Sequence, residues 1–128
     1  MRIGLTSVLV DDQEKALAFY TEKLGFQKKT DMPAGDYRWL TVVGSEGNDS
    51  VELVLEPVAF PPAKDYQAAL YNAGIPATAF ISDDIQAEFE KLTALGVNFL
   101  GEPTNMGAAT GVMFDDTCGN LLSLVQPD

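Results

Sequence analysis

The sequence predicts an α+β fold of two tandem βαβββ modules with a cavity between the halves, and three observations carry that expectation. The stretch Leu5-Thr-Ser-Val-Leu-Val-Asp-Asp12, followed by Ala16-Leu-Ala-Phe-Tyr20 and Leu24-Gly25-Phe26, has a counterpart further on. That counterpart is Ala77-Thr-Ala-Phe-Ile-Ser-Asp-Asp84, then Ala87-Glu-Phe-Glu-Lys-Leu92 and Leu95-Gly96-Val97. The repeat keeps a near-constant offset of about 71 residues from Leu5 and Ala77 through Gly25 and Gly96 to Glu52 and Ser123, as a duplicated unit should. Each copy passes from a short apolar strand over a double-aspartate cap into one amphipathic helix that stops at glycine. The chain contains no histidine.

In the first copy, Ile3 to Val10 is an apolar, partly β-branched run ending at Asp11-Asp12, the pattern of a buried strand before a helix N-cap. From Gln13, the residues Ala16, Leu17, Phe19, Tyr20 and Leu24 recur at helical spacing, and Gly25 supplies the stop. Trp39 to Val43 forms a strand paired with Val51 to Leu55 across the polar, glycine-rich turn Gly44 to Ser50. Pro57 to Pro62 breaks the pattern, and Ala63 to Asn72 forms a short connector helix. The second copy opens at Pro76 with a strand from Ala77 to Ser82, then a helix over Ile85 to Leu95 and a strand over Asn98 to Leu100. A last hairpin pairs Gly111 to Phe114 with Leu121 to Val125. The organisation is a first module over residues 1–56, a connector over 57–75 and a second module over 76–128, all in one structural domain.

Hydrophobic residues make up 46% of the chain, enough for a real interior, and the formal charge is −11. Nucleic acid and anionic membranes need a basic patch, so neither is an expected partner; a neutral or cationic small molecule is. The single cysteine, Cys118, can close no intramolecular disulfide. No apolar run reaches the ~18–20 residues of a membrane span and no signal-peptide layout stands at the start, so the expected location is cytoplasmic. Flanking aspartates disfavour a Cys118 thiolate, which makes it a turn residue. The pairs Asp11/Asp12 and Asp83/Asp84 stand where helix N-termini want acids and are read as caps.

Tyr37-Arg38-Trp39 could recognise a planar or charged molecule, but alternation sends only one parity inward, so Trp39 and Tyr37 are placed inward and Arg38 outward. Phe60, Tyr66 and Met106 lie in connecting segments, where ordinary packing and a lid over the pocket are both open readings. Asn105 to Gly111, with two glycines and small side chains, reads as the mobile loop.

Three signatures together resemble the vicinal oxygen chelate superfamily of glyoxalase I, extradiol dioxygenases and the fosfomycin and bleomycin resistance proteins. They are Val10-Asp-Asp with Ala16, Phe19-Tyr20 and Leu24-Gly25-Phe26; Phe80-Ile-Ser-Asp-Asp84 with Leu95-Gly96-Val97; and Phe114-Asp-Asp-Thr-Cys-Gly119-Asn120-Leu-Leu-Ser-Leu124. The resemblance covers nearly the entire chain. It implies curled mixed sheets facing each other around a pocket, a homodimer and, in catalytic members, a divalent metal held by His or Glu from the first and last strands of each module. Carried over position by position, the four ligand sites fall at Leu5, Glu52, Ala77 and Ser123, of which only Glu52 could bind a metal. A catalytic zinc-type site needs about three ligands drawn from His, Asp, Glu and Cys, and Glu56, on the same strand face as Glu52, lies about 13 Å along it. No metal and no cofactor are therefore expected.

In the family register Glu52 points into the pocket from an apolar strand, where desolvation raises a carboxyl's pKa unless a donor or cation stabilises the anion. It is read as a catalytic proton-transfer group, as the polar anchor for a guest, or as a relic satisfied by Ser123, Trp39 or Tyr37. The expected ligand-binding set is Leu5, Tyr37, Trp39, Glu52, Ala77, Met106 and Ser123. Three functions stay open. The first is a metal-free binder that sequesters a cationic or aromatic small molecule in a homodimer groove, like the bleomycin resistance members. The second is a lyase, isomerase or dioxygenase with an atypical metal site, and the third a metal-independent enzyme with Glu52 as general base. The first is favoured, because the missing ligands remove the shared source of electrophilic catalysis while the apolar pocket positions remain.

Overall fold

A computed structural model describes residues 1–45 and 50–128. The first module runs through β1 (Leu5–Val10), α1 (Gln13–Ala18), β2 (Gln27–Ala34), β3 (Tyr37–Val43) and β4 (Glu52–Pro57). Its sheet has the order β1-β4-β3-β2, with β1 parallel to β4 and the other pairs antiparallel. The connector folds as α2 (Pro61–Asn72). The second module runs through β5 (Ala79–Ile81), α3 (Ile85–Ala94), β6 (Asn98–Phe99), β7 (Thr104–Asn105), β8 (Ala109–Asp115) and β9 (Leu121–Pro127). Its sheet has the order β5-β9-β8-β6, and β7 adds to β8. This is the α+β, two-module architecture that the repeat predicts.

The helix signals act as their chemistry requires. The Asp12 carboxylate accepts the Lys15 N–H at 2.9 Å and Asp84 accepts that of Ala87 at 3.1 Å, so both double-aspartate motifs end in a working N-cap. Gly25 and Gly96 close the two helical segments at φ of 79° and 92°, a conformation that costs a side chain but not glycine. After α1 the chain widens into one π turn over Phe19–Lys23, where the Leu24 N–H reaches back five residues to the Phe19 carbonyl at 3.2 Å. The connector helix starts at Pro61 instead of Ala63, because prolines in a first helical turn give up no internal hydrogen bond.

Two segments stand out from the sequence pattern. Gln27–Ala34 is a strand, although Lys28-Lys29 and Pro33 give it no apolar alternation; it is a mostly exposed sheet edge, where charge and proline are tolerated. The segment read as the mobile loop is the β7–β8 hairpin, in which Met106 N–H donates to the Ala109 carbonyl at 2.7 Å and Gly107 N–H to Asn105 Oδ1 at 2.8 Å. The tip of the β3–β4 turn, residues 46–49, lies outside the described residues.

Alternation sorts the side chains. Val8 and Val10, Leu40 and Val42, and Leu53 and Leu55 are buried on the helix-bearing face of the first sheet, as are Val112, Phe114, Leu122 and Leu124 on that of the second. These two faces share one core. Phe19 stacks on Phe114 with centroids 6.5 Å apart, while Tyr20 and Phe26 meet Phe80 edge-on at 6.4 Å and 5.1 Å. A cavity of about 270 Å³ remains at the seam between the modules, lined by Thr6, Phe26, Val42, Leu53, Thr78 and Phe80 among others.

A polar hub pins the modules where the core closes. The buried Asp116 carboxylate accepts the Tyr20 hydroxyl at 2.7 Å, the Cys118 N–H at 2.8 Å, the Asn120 N–H at 3.0 Å and the Asn120 side-chain amide at 2.8 Å. The same Asn120 amide and that of Gln67 donate to the Leu9 carbonyl on β1, so the hub joins both modules and the connector. Burial raises the Asp116 carboxyl above its usual range, and the Asn120 and Tyr20 hydrogen bonds offset only part of that rise. Burial, with Asp116 and Asp11 nearby, pushes the Cys118 thiol up to about 12, which leaves it inert as a nucleophile. No helix among the described residues is long and apolar enough to cross a membrane.

Candidate functional site

The face of the first sheet that points away from α1 holds the first group of candidate residues. In β1 and β4 the Cα partners are Leu5 with Glu52, Ser7 with Val54 and Leu9 with Glu56, and partners in a parallel pair share a face. Thr41 of β3 stands opposite Val54, which puts Tyr37, Trp39 and Thr41 on the same side, and Met32 of β2 opposite Trp39. Leu5, Trp39, Val54 and Glu56 line an open groove of about 230 Å³ with Thr6 and Ser7. Arg38 falls on the other parity, where its guanidinium pairs with Glu14 and Asp31. That guanidinium holds the Asp31 carboxyl down at about 2.

Glu52 is half-buried and its partners are two threonines. Thr41 donates its hydroxyl to Glu52 Oε1 at 2.8 Å, and the Thr30 hydroxyl points to the same oxygen at 3.5 Å. This corrects the expectation that Ser123, Trp39 or Tyr37 would satisfy it. Thr41 gives no sequence signal, since a β-branched residue between Leu40 and Val42 reads as ordinary strand material.

The outward face of the second sheet holds another group. Ser123 and Met106 line a groove of about 320 Å³ with Leu100, Glu102, Gly111 and Met113. Met106 is largely exposed, and its methyl group lies against Gly111 so closely that a Cβ there would stand 2.6 Å from it. Ala77 lies apart from both groups, in a small recess with Ser7, Leu9 and the α2 residues Tyr66, Gln67 and Leu70. The residue paired with Ser123 is Ala79, two positions along the same face from Ala77, because the second module is shorter between strand and helix cap. Phe60 is exposed at the start of α2 and lines neither groove.

The donor set does not suit the metal that the fold family implies. Leu5 stands beside Glu52 and Ala79 beside Ser123, which supplies one carboxylate and one hydroxyl across both sheets. Among the described residues no three His, Cys, Asp or Glu side chains come together as ligands. A divalent transition ion asks for about three such ligands, more than these positions supply.

The sequence model of the Glyoxalase/Bleomycin resistance protein/Dioxygenase superfamily matches residues 2–124. An uncharacterized protein of Bacillus subtilis (strain 168), YurT, is 52% identical over 126 residues, covering 98% of this chain and 99% of that protein. Among solved structures, UcmS2 superposes with a TM-score of 0.84 at 33% identity, covering 98% of this chain and 97% of the other. TnmS3, an antibiotic binding protein from Streptomyces sp. CB03234, does so with a TM-score of 0.79 at 34% identity, covering 100% and 97%.

Proposed function

Because the chain belongs to the Glyoxalase/Bleomycin resistance protein/Dioxygenase superfamily, we propose that it is a metal-free binder of small cationic, aromatic molecules in a groove that a second copy completes. The observation that carries this reading is the outward face of the first sheet. There a half-buried carboxylate, Glu52, shares a face with Leu5, Trp39, Tyr37 and Met32, and no Lys or Arg stands on that face in β1, β3 or β4. An apolar, aromatic surface with two carboxylates, half-buried Glu52 and exposed Glu56, favours a planar cation, through ring stacking and a charge-assisted hydrogen bond. The second groove repeats the theme with Met106, Met113 and Leu100 around a single acid, Glu102. The description of TnmS3 as an antibiotic binding protein supports a binder of small molecules.

A dimer follows from the same surfaces. Leu5, Met32, Tyr37 and Trp39 on one sheet and Leu100 and Met106 on the other are exposed in a single chain. Laying the groove face of one copy on that of another would bury both sets and enclose the guest, and sedimentation should give twice the mass of one chain. The function is tested by calorimetric titration of proflavine, a planar aromatic cation, against anthracene-9-carboxylate, a planar anion. Proflavine should bind, and more weakly as salt is raised, while the anion should not. Equal affinity for the two would remove the electrostatic basis of the proposal.

A further inference from the structure

We propose that Thr41 is the positioning residue that aims the Glu52 carboxylate at a cationic guest, and that the one-residue bulge in β2 at Lys29 makes this possible. The inference deepens the binding function proposed above and rests on Glu52 being its anchor.

The argument starts from the register of β2 against β3. Lys28 pairs with Val42, but the next pair is Thr30 with Thr41, so Lys29 is the extra residue of a bulge. Without it, an antiparallel register would set Lys29 opposite Thr41 in place of Thr30. The bulge places Thr30 in that position instead, with its hydroxyl 3.5 Å from Glu52 Oε1.

The bulge also fixes the direction of a proton. The Thr30 N–H donates to Thr41 Oγ1 at 3.1 Å, which occupies a lone pair of that hydroxyl. Thr41 has one hydroxyl proton, and it goes to Glu52 Oε1 at 2.8 Å. Thr41 itself is fully buried, so it contributes no surface to a guest and acts only through Glu52. Both threonine hydroxyls converge on Oε1, and among the described residues no donor reaches Oε2. One carboxylate oxygen is thus tied to the sheet, which leaves the other as the acceptor for a guest on that face.

A double-mutant cycle on proflavine binding tests this, with Thr41→Val, Glu52→Gln and the pair, and Thr41→Ser as the conservative replacement. Glu52→Gln is expected to weaken binding ~10-fold or more, as loss of a charge-assisted hydrogen bond does. Thr41→Val should weaken it ~3–10-fold in the native background and leave it unchanged in the Glu52→Gln background, a coupling that a merely structural role would not show. Thr41→Ser should restore the native affinity. Thermal melts identify any unfolded variant; if Thr41→Val is one, Thr41→Ser and Thr41→Ala carry the comparison. Equal effects of the Thr41 change in both backgrounds, or no rescue by serine, overturn the positioning role while leaving the anchor in place. No effect of Glu52→Gln overturns the anchor itself, and this inference with it.

Discussion

Asp116→Ala should destabilise the protein by about 3–5 kcal/mol, and the figure can be worked from the hub. The change strands four donors at once: the Tyr20 hydroxyl, the Asn120 side-chain amide and the backbone N–H groups of Cys118 and Asn120. Tyr20 is fully buried and Asn120 nearly so, so water cannot easily take over. An unsatisfied buried donor costs about 1–3 kcal/mol, so four of them set an upper range of about 4–12 kcal/mol. Two terms reduce the sum: the buried carboxylate's desolvation penalty disappears, and the Asn120 amide keeps its bond to Leu9. A loss of about 3–5 kcal/mol is a large share of the roughly 5–15 kcal/mol that holds such a domain together. Urea titration followed by far-ultraviolet circular dichroism measures it, with Tyr20→Phe, which deletes one bond, expected at about 1–2 kcal/mol. An Asp116→Ala protein within about 1 kcal/mol of the native one would refute the claim that this hub locks the modules together.

Other outcomes follow from the same contacts. Asp31, held at about 2 by Arg38 against an ordinary 3.8, is ionised in the folded state where the unfolded chain would already be protonated. Its contribution is therefore full above the ordinary value and lost as pH falls toward about 2. The melting-temperature gap between native protein and Asp31→Asn should be constant near neutrality and shrink over that acid window, and a gap undiminished at pH 2 would contradict the ion pair. Gly111→Ala must move the Met106 methyl group, which is the free end of a flexible side chain. It should therefore change proflavine affinity more than it changes the melting temperature, and the reverse would place Met106 in packing alone. Trp39 is the sole tryptophan, so its fluorescence reports the groove directly. A guest bound there should quench it, and Trp39→Ala should cost about 1–2 kcal/mol of binding through lost stacking and area.

Much of the scaffold could be read from local signals. The double aspartates and Gly25 and Gly96 announce helix ends because capping depends on neighbours in sequence. The parity of Tyr37, Arg38 and Trp39 was legible for the same reason, since alternation is a property of the strand itself. What could not be read depends on distant partners. Asp116 looks like one more turn residue in Asp115 to Asn120 until Tyr20, 96 positions away, delivers its hydroxyl. Thr41 becomes more than strand filler only once the β2 bulge sets Thr30 opposite it, and nothing in Lys28-Lys29-Thr30 marks a bulge. Ser123 pairs with Ala79 and not with Ala77, and a step of two residues along a strand changes register without changing face, which leaves the hydrophobic pattern intact.

Titration of proflavine into protein stripped with a strong chelator, beside untreated protein and protein resupplied with zinc or manganese, tests the proposal of a metal-free groove most directly. The structure predicts one affinity for all three samples and a marked loss in Glu52→Gln. Binding that vanishes on chelation and returns with the metal would contradict it.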